Sequence, residues 1–207
     1  MRIPFIAKVS SREELGVEDA RLRFIADTRG GSAFLIAGAV FWLLGAVFAH
    51  LVPSARVEWV LYVGVGVPIL GFAIAKLQGA RLWAHPGYAS LVMFATLTEL
   101  SALPTMFYLR AEHPEALPAI LMIADGAHLL ILMWLHLDYT YFLAGYAKAL
   151  LGVLFLFGVL WEGSYSLQMT ASGVISLSAA VLVWRDSHHT LKLYLSPSSN
   201  ESGQKGR

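Results

Sequence analysis

The chain contains no cysteine among its 207 residues. That excludes disulfides, thiolate nucleophiles and cysteine-bearing metal sites, while leaving the redox compartment open. Charge is scarce as well: Asp, Glu, Lys and Arg make up 14% of the residues, and their formal sum is only +1. So neutral a balance offers no electrostatic footprint for nucleic acid or for a strongly acidic partner. The seven histidines add little charge at neutral pH. No HExxH helix and no GxSxG elbow occurs. Nothing therefore assigns a catalytic residue, a resident metal ligand or a cofactor, and the sequence leans away from an enzyme.

What the chain has in quantity is apolar surface. Hydrophobic residues make up 57% and the mean hydropathy is +0.62, above the range of ordinary soluble domains. About 20 apolar residues in helix cross a hydrocarbon core of roughly 30 Å. Six such spans are predicted: Ser32 to Val52, Val57 to Leu77, Tyr88 to Leu109, Ala116 to Leu135, Tyr141 to Trp161 and Ser164 to Trp184. Continuous apolar runs of this length satisfy their own backbone as helices, whereas barrel strands would alternate. The expectation is an all-α polytopic bundle, with residues 1–31 a cytoplasmic amphipathic segment, 32–184 the transmembrane domain and 185–207 a cytoplasmic tail.

The flanks set the orientation. Twelve of the fifteen Lys and Arg residues lie in the N-terminal segment (among them Arg21, Arg23 and Arg29), in the second loop (Lys76 and Arg81) and in the tail; the opposite side holds only Arg56 and Arg110. Positive residues favour the cytoplasmic side, so both termini are expected there. Trp59, Tyr62, Tyr108, Trp161 and Tyr165 near one set of span ends, and Trp83, Trp134, Tyr139, Tyr141 and Trp184 near the other, read as aromatic belts. The first 30 residues are too charged for a secretory signal. Ser11 and Glu14 have capping-box spacing, and Leu15, Val17, Leu22, Phe24 and Ile25 mark an apolar side, giving a helix that lies either in the interface or on its own bundle. From Ser196 the polar Ser- and Gly-rich tail is expected to be disordered.

Two further patterns concern packing. A shift of 107 positions pairs Ala37-Gly38 with Ala144-Gly145, Leu43-Leu44-Gly45 with Leu150-Leu151-Gly152, and Gly66-Val67 with Gly173-Val174, so that spans 1 and 2 would repeat as spans 5 and 6. Ser172, Ser176 and Ala180 form a small-residue stripe on span 6 that admits a close neighbour from this chain or from a second copy. A six-span chain of this size favours a homodimer in the lipid bilayer.

The apolar run from Ile120 to His136 carries Asp125 and His128 near its middle. Glu99 on span 3 and Lys148 on span 5 fall at similar depth. Each would cost about 2.5 to 3.5 kcal/mol facing lipid, so all four should face inward. Three chemistries fit them. In one, Lys148 pairs with a carboxylate and His128 donates to the other, which fixes helix packing only, as in a membrane scaffold or assembly subunit. In another, the carboxylates and the imidazole carry protons or a cation during transport of a small solute or ion. In the third, Glu99, Asp125 and His128 hold the metal of an intramembrane hydrolase, against which Lys148 counts. Transport narrowly leads. Pro104, five residues after Glu99, should kink span 3, and Pro68 with Gly64, Gly66 and Gly71 should bend span 2. His136 and Asp138 sit at the cytoplasmic end of span 4, where interfacial solvation is the ordinary reading and a proton path to His128 the other. His50 and His188-His189 are not assigned as ligands.

The stretches "RGGSAFLIAGAVFWLLG" (Arg29 to Gly45), "AKLQG" (Ala75 to Gly79) and "GAHLLILMWL" followed by "YTYFLAG" (Gly126 to Gly145) resemble a family of small bacterial multi-pass membrane proteins of unknown function. The likeness covers roughly residues 29 to 160, and its most specific mark is Gly-Ala-His within span 4. It implies a bacterial inner-membrane location and gives weight to Arg29, Lys76 and His128. It implies no activity. Glu99 departs from it, standing where a neutral amide or an apolar residue is expected.

Overall fold

A computed structural model describes residues 12–52, 54–81, 83, 85–158 and 164–195. The tail from Ser196, Ser11 and Trp161 lie outside these residues, as do the side chains of Leu15 and Val17. Six helices are long and apolar enough to cross a membrane: Arg29–Leu51, Trp59–Leu77, Pro86–Leu109, Pro114–His136, Tyr139–Leu156 and Tyr165–His188. They are spans 1 to 6 below, and their ends lie within a few residues of the expected ones. Among the described residues there is no strand.

Helix α1 (Arg12–Asp27) precedes span 1, and the turn Arg29–Gly31 joins it to α2 (Ser32–Leu51). All three residues of that turn have positive φ, at 55°, 64° and 76°. Glycine adopts this without a Cβ clash, which explains the Gly30-Gly31 pair; Arg29 carries a cost of about 1–2 kcal/mol. The Tyr141 hydroxyl pins the turn by donating to the Gly30 carbonyl at 2.6 Å. Beyond the turn, α1 rests its C-terminal half on the bundle, with Phe24 and Ile25 buried. For these side chains, bundle packing is the reading the structure supports.

Span 2 is broken into α3 (Ser54–Val63) and α4 (Val67–Leu77) by a 3₁₀ turn at Gly64–Gly66. Span 3 is broken into α5 (Pro86–Leu100) and α6 (Leu103–Leu109), with Pro104 in the first turn of α6. Both interruptions fall where proline withholds an N–H and glycine lowers helix propensity. Spans 4 and 5 follow as α7 (Leu117–His136) and α8 (Tyr139–Leu156). Span 6 belongs to α9 (Tyr165–Leu195), which continues past the expected end at Trp184 because no proline or glycine interrupts residues 185–195.

Two tight helix pairs form the frame. Spans 4 and 5 meet where glycines let the backbones touch: a Cβ on Gly126 would stand 2.6 Å from the Gly145 carbonyl oxygen, and one on Gly152 would stand 2.7 Å from that of Ala119. Spans 1 and 6 pack along their length through Gly38 and the buried stripe Ser172, Ser176 and Ala180. The stripe is thus covered by this chain's own first span. Span 2 leans on span 1 and span 3 on span 4. The glycines matched by the 107-residue shift do not have matched neighbours. Gly38 faces span 6 where Gly145 faces span 4, and Gly66 lies in open space where Gly173 lies against Leu43.

The belt reading requires exposed side chains, and Trp59, Trp83, Tyr108, Trp134, Tyr139 and Trp184 are exposed. It does not hold for Tyr141 and Tyr165, which are buried. Each has instead a backbone carbonyl for its hydroxyl, on Gly30 and Pro114 respectively. Such partnering is what admits a tyrosine to a core.

Candidate functional site

The buried apolar residues fall into two clusters. One includes Phe24, Leu35, Leu129, Leu132 and Tyr141; the other includes Trp42, Leu121, Met122 and Met169. On span 4 the change from one to the other occurs between Met122 and Leu129, where Asp125 and His128 stand. A polar layer therefore separates two apolar ones.

Asp125 and Lys148 are both buried, and the Lys148 Nζ donates to Asp125 Oδ2 at 2.5 Å and to Ser176 Oγ at 2.6 Å. The Trp42 indole N–H donates to the same Asp125 Oδ2 at 2.9 Å. One carboxylate oxygen and one ammonium thus tie spans 1, 4, 5 and 6 together. An ion pair in hydrocarbon is tolerable only when its remaining hydrogen-bonding capacity is met, and Trp42 and Ser176 each supply one such partner.

The other half of the layer is less complete. The His128 Nδ1 lies 3.7 Å from Glu99 Oε2 and 3.7 Å from Asp125 Oδ1. Both separations exceed a hydrogen bond. The atom is shielded from solvent and has no hydrogen-bond partner among the described residues. Glu99 reaches it from the last turn of α5, beside the break in span 3, where its carbonyl accepts from the Ala102 N–H at 3.1 Å.

A cavity of about 70 Å³ adjoins this layer. Its lining includes Glu99, Asp125, His128 and Lys148 at one end and Phe24, Gly31, His136 and Tyr141 at the other, with Pro68 of span 2 and Thr96 of span 3 along its sides. His136 is eight residues beyond His128, about 12 Å along the helix. The cavity thus runs from mid-span toward the face where span 1 begins and span 6 ends. A volume of this size holds several waters, each needing roughly 10–15 Å³.

At that face Phe24 stacks on His136 with ring centroids 5.6 Å apart and packs against Tyr88 at 5.2 Å. His136 stacks on Tyr141 at 5.0 Å. His136 is therefore buried, not solvated as its place at the end of span 4 suggests, because α1 folds over it. Asp138 stands apart from the layer: it accepts the Thr140 N–H at 2.8 Å and caps α8. Pro104 is exposed and acts on span 3 through its backbone break. Lys76, in the last turn of α4, is exposed as well.

The structure brings together Glu99, Asp125, His128 and Lys148. Trp42 and Ser176 also belong to the layer, and sequence reasoning did not place them in it. Ser176 was legible only as a small packing residue. For Trp42 the signal was a tryptophan in the middle of a span, where its N–H requires a buried acceptor.

Six membrane-length apolar helices enclosing a buried ionic layer define a multi-pass helical membrane protein. A family of unknown function, DUF7010, has a model that matches residues 17–186. The chain belongs to that family, and the match extends the likeness seen over residues 29 to 160 to nearly all of the membrane-spanning part. No curated protein and no solved structure matches the chain.

Proposed function

We propose that this protein is a proton- or ion-coupled transporter or channel for a small solute or ion, working at the Glu99, Asp125, His128 and Lys148 layer. The observation that supports it is the cavity that runs from beside these four residues toward the face where span 1 begins, ending beneath the buried Phe24, His136 and Tyr141. A layer serving only to hold helices together gains nothing from such a cavity. The interruptions of spans 2 and 3 beside it add weight, since broken helices at a midplane site let one part of a bundle move against another. In this reading Lys148 and Asp125 form the fixed partner pair, and Glu99 and His128 take up and release the mobile charge. Phe24, His136 and Tyr141 close the cavity at the face that also bears Arg21, Arg23, Arg29, Lys76 and Arg81. The surplus of Lys and Arg on that side supports a cytoplasmic position for that face and for both termini, and the reading takes the bacterial inner membrane as the location and a homodimer as the working unit.

Proton uptake into proteoliposomes under an imposed membrane potential tests the reading. The wild-type protein should conduct, Glu99→Gln should abolish uptake, and His128→Gln should change its pH dependence, because amides form hydrogen bonds but do not cycle charge. Equal uptake in all three would remove the layer from the mechanism. A second reading, a scaffold or assembly subunit, is favoured by the Trp42, Asp125, Lys148 and Ser176 network, which ties four spans together. It predicts no flux in any variant and altered complex assembly instead.

A further inference from the structure

We infer that Glu99, Asp125 and His128 form a binding site for a divalent first-row transition-metal ion. The inference rests on the reading of the layer as a cation path only for the purpose of the site; the binding is a separate property. One ligand atom from each of the three residues lies within 4.8 Å of the other two. The imidazole supplies the central argument. An N–H at Nδ1 satisfies one carboxylate at about 2.9 Å. Here Nδ1 stands midway, at 3.7 Å from each carboxylate, and is bonded to neither.

Two donors bound to one ion at about 2.1 Å, with a tetrahedral angle between them, are about 3.4 Å apart. Both observed separations are close to that value, and a small inward movement of Glu99 on its interrupted helix completes the triangle. Lys148 does not occupy the site. It donates to Asp125 Oδ2, while Oδ1 is the oxygen that faces His128. Its charge is nevertheless close, so the ion is held exchangeably rather than as a permanent structural metal. One imidazole and two carboxylates suit Mn²⁺, Fe²⁺, Co²⁺ or Zn²⁺. The adjoining cavity gives the ion access and leaves room for water in the remaining coordination positions.

The test is titration of the purified full chain in detergent with Co²⁺, followed by its visible absorption, and then competition by Zn²⁺. One Co²⁺ per chain should bind, Zn²⁺ should displace it, and His128→Gln and Glu99→Gln should each weaken binding at least tenfold. His50→Gln, at the exposed far end of span 1, should leave it unchanged. Melting curves without metal identify any variant that loses affinity through misfolding, and Glu99→Gln keeps the fixed Lys148 and Asp125 pair intact. Absence of binding, or binding indifferent to both substitutions, overturns the inference. Proton flux without Co²⁺ binding would overturn it and leave the transport reading standing. Co²⁺ binding without any flux in proteoliposomes would uphold the site and remove the transport role.

Discussion

At the scale of single residues, the Asp125 carboxylate carries the largest consequence. Its Oδ2 accepts from both Lys148 and Trp42. Asp125→Asn leaves a buried ammonium without its counter-charge, and the purified protein should lose about 3 kcal/mol of stability in thermal or denaturant unfolding. Lys148→Met in the same chain should recover part of that loss, since the unpaired charge disappears with it; strict additivity would show that the two do not interact. Trp42→Phe should cost about 1–3 kcal/mol by withdrawing one donor from a charged acceptor while keeping an aromatic ring. The ionisable members of the layer were legible in the sequence because charge in hydrocarbon is too costly to be incidental. Trp42 and Ser176 were not, because a tryptophan or a serine is tolerated at many positions in a span. The burial of His136 is not legible for a related reason: it depends on α1 folding back, which the composition of span 4 does not encode.

At the scale of helices, backbone contact between spans 4 and 5 sets the frame that carries Asp125, His128 and Lys148. Gly126→Val places a side chain against the Gly145 carbonyl oxygen and the Ala149 amide nitrogen, 2.6 and 2.8 Å from where its Cβ would stand. It should destabilise the protein by about 1–3 kcal/mol through overpacking. Gly66→Ala, which meets nothing within 4 Å, should change stability by no more than about 0.5 kcal/mol in the same unfolding assay. The breaks in spans 2 and 3 were legible from Pro68, Pro104 and the glycines around position 65. The pairing of spans was not, because apolar helix faces resemble one another and their partners are selected by close fit in three dimensions. The 107-residue match shows the difference: similar residues recur, yet Gly38 and Gly145 serve different neighbours.

For the whole molecule, class and span number followed from apolar length alone, whereas the cavity arises only when six helices and α1 are assembled. The surplus of Lys and Arg predicts the orientation. A reporter fused after Arg207 and one placed within residues 110–115 should lie on opposite sides of the membrane, and an external C-terminal reporter would contradict the argument. The route from one face to the ionic layer is the central claim, and the absence of cysteine makes it directly measurable. Thr96→Cys puts a single thiol on the cavity wall, one helical turn before Glu99. A membrane-impermeant thiol reagent added to the face bearing Arg29 should modify it, and faster when Phe24→Ala opens the mouth. Modification from that face should exceed modification from the opposite one. A thiol that resists the reagent from the Arg29 face even with Phe24 replaced, while reacting with a membrane-permeant reagent, would contradict the account.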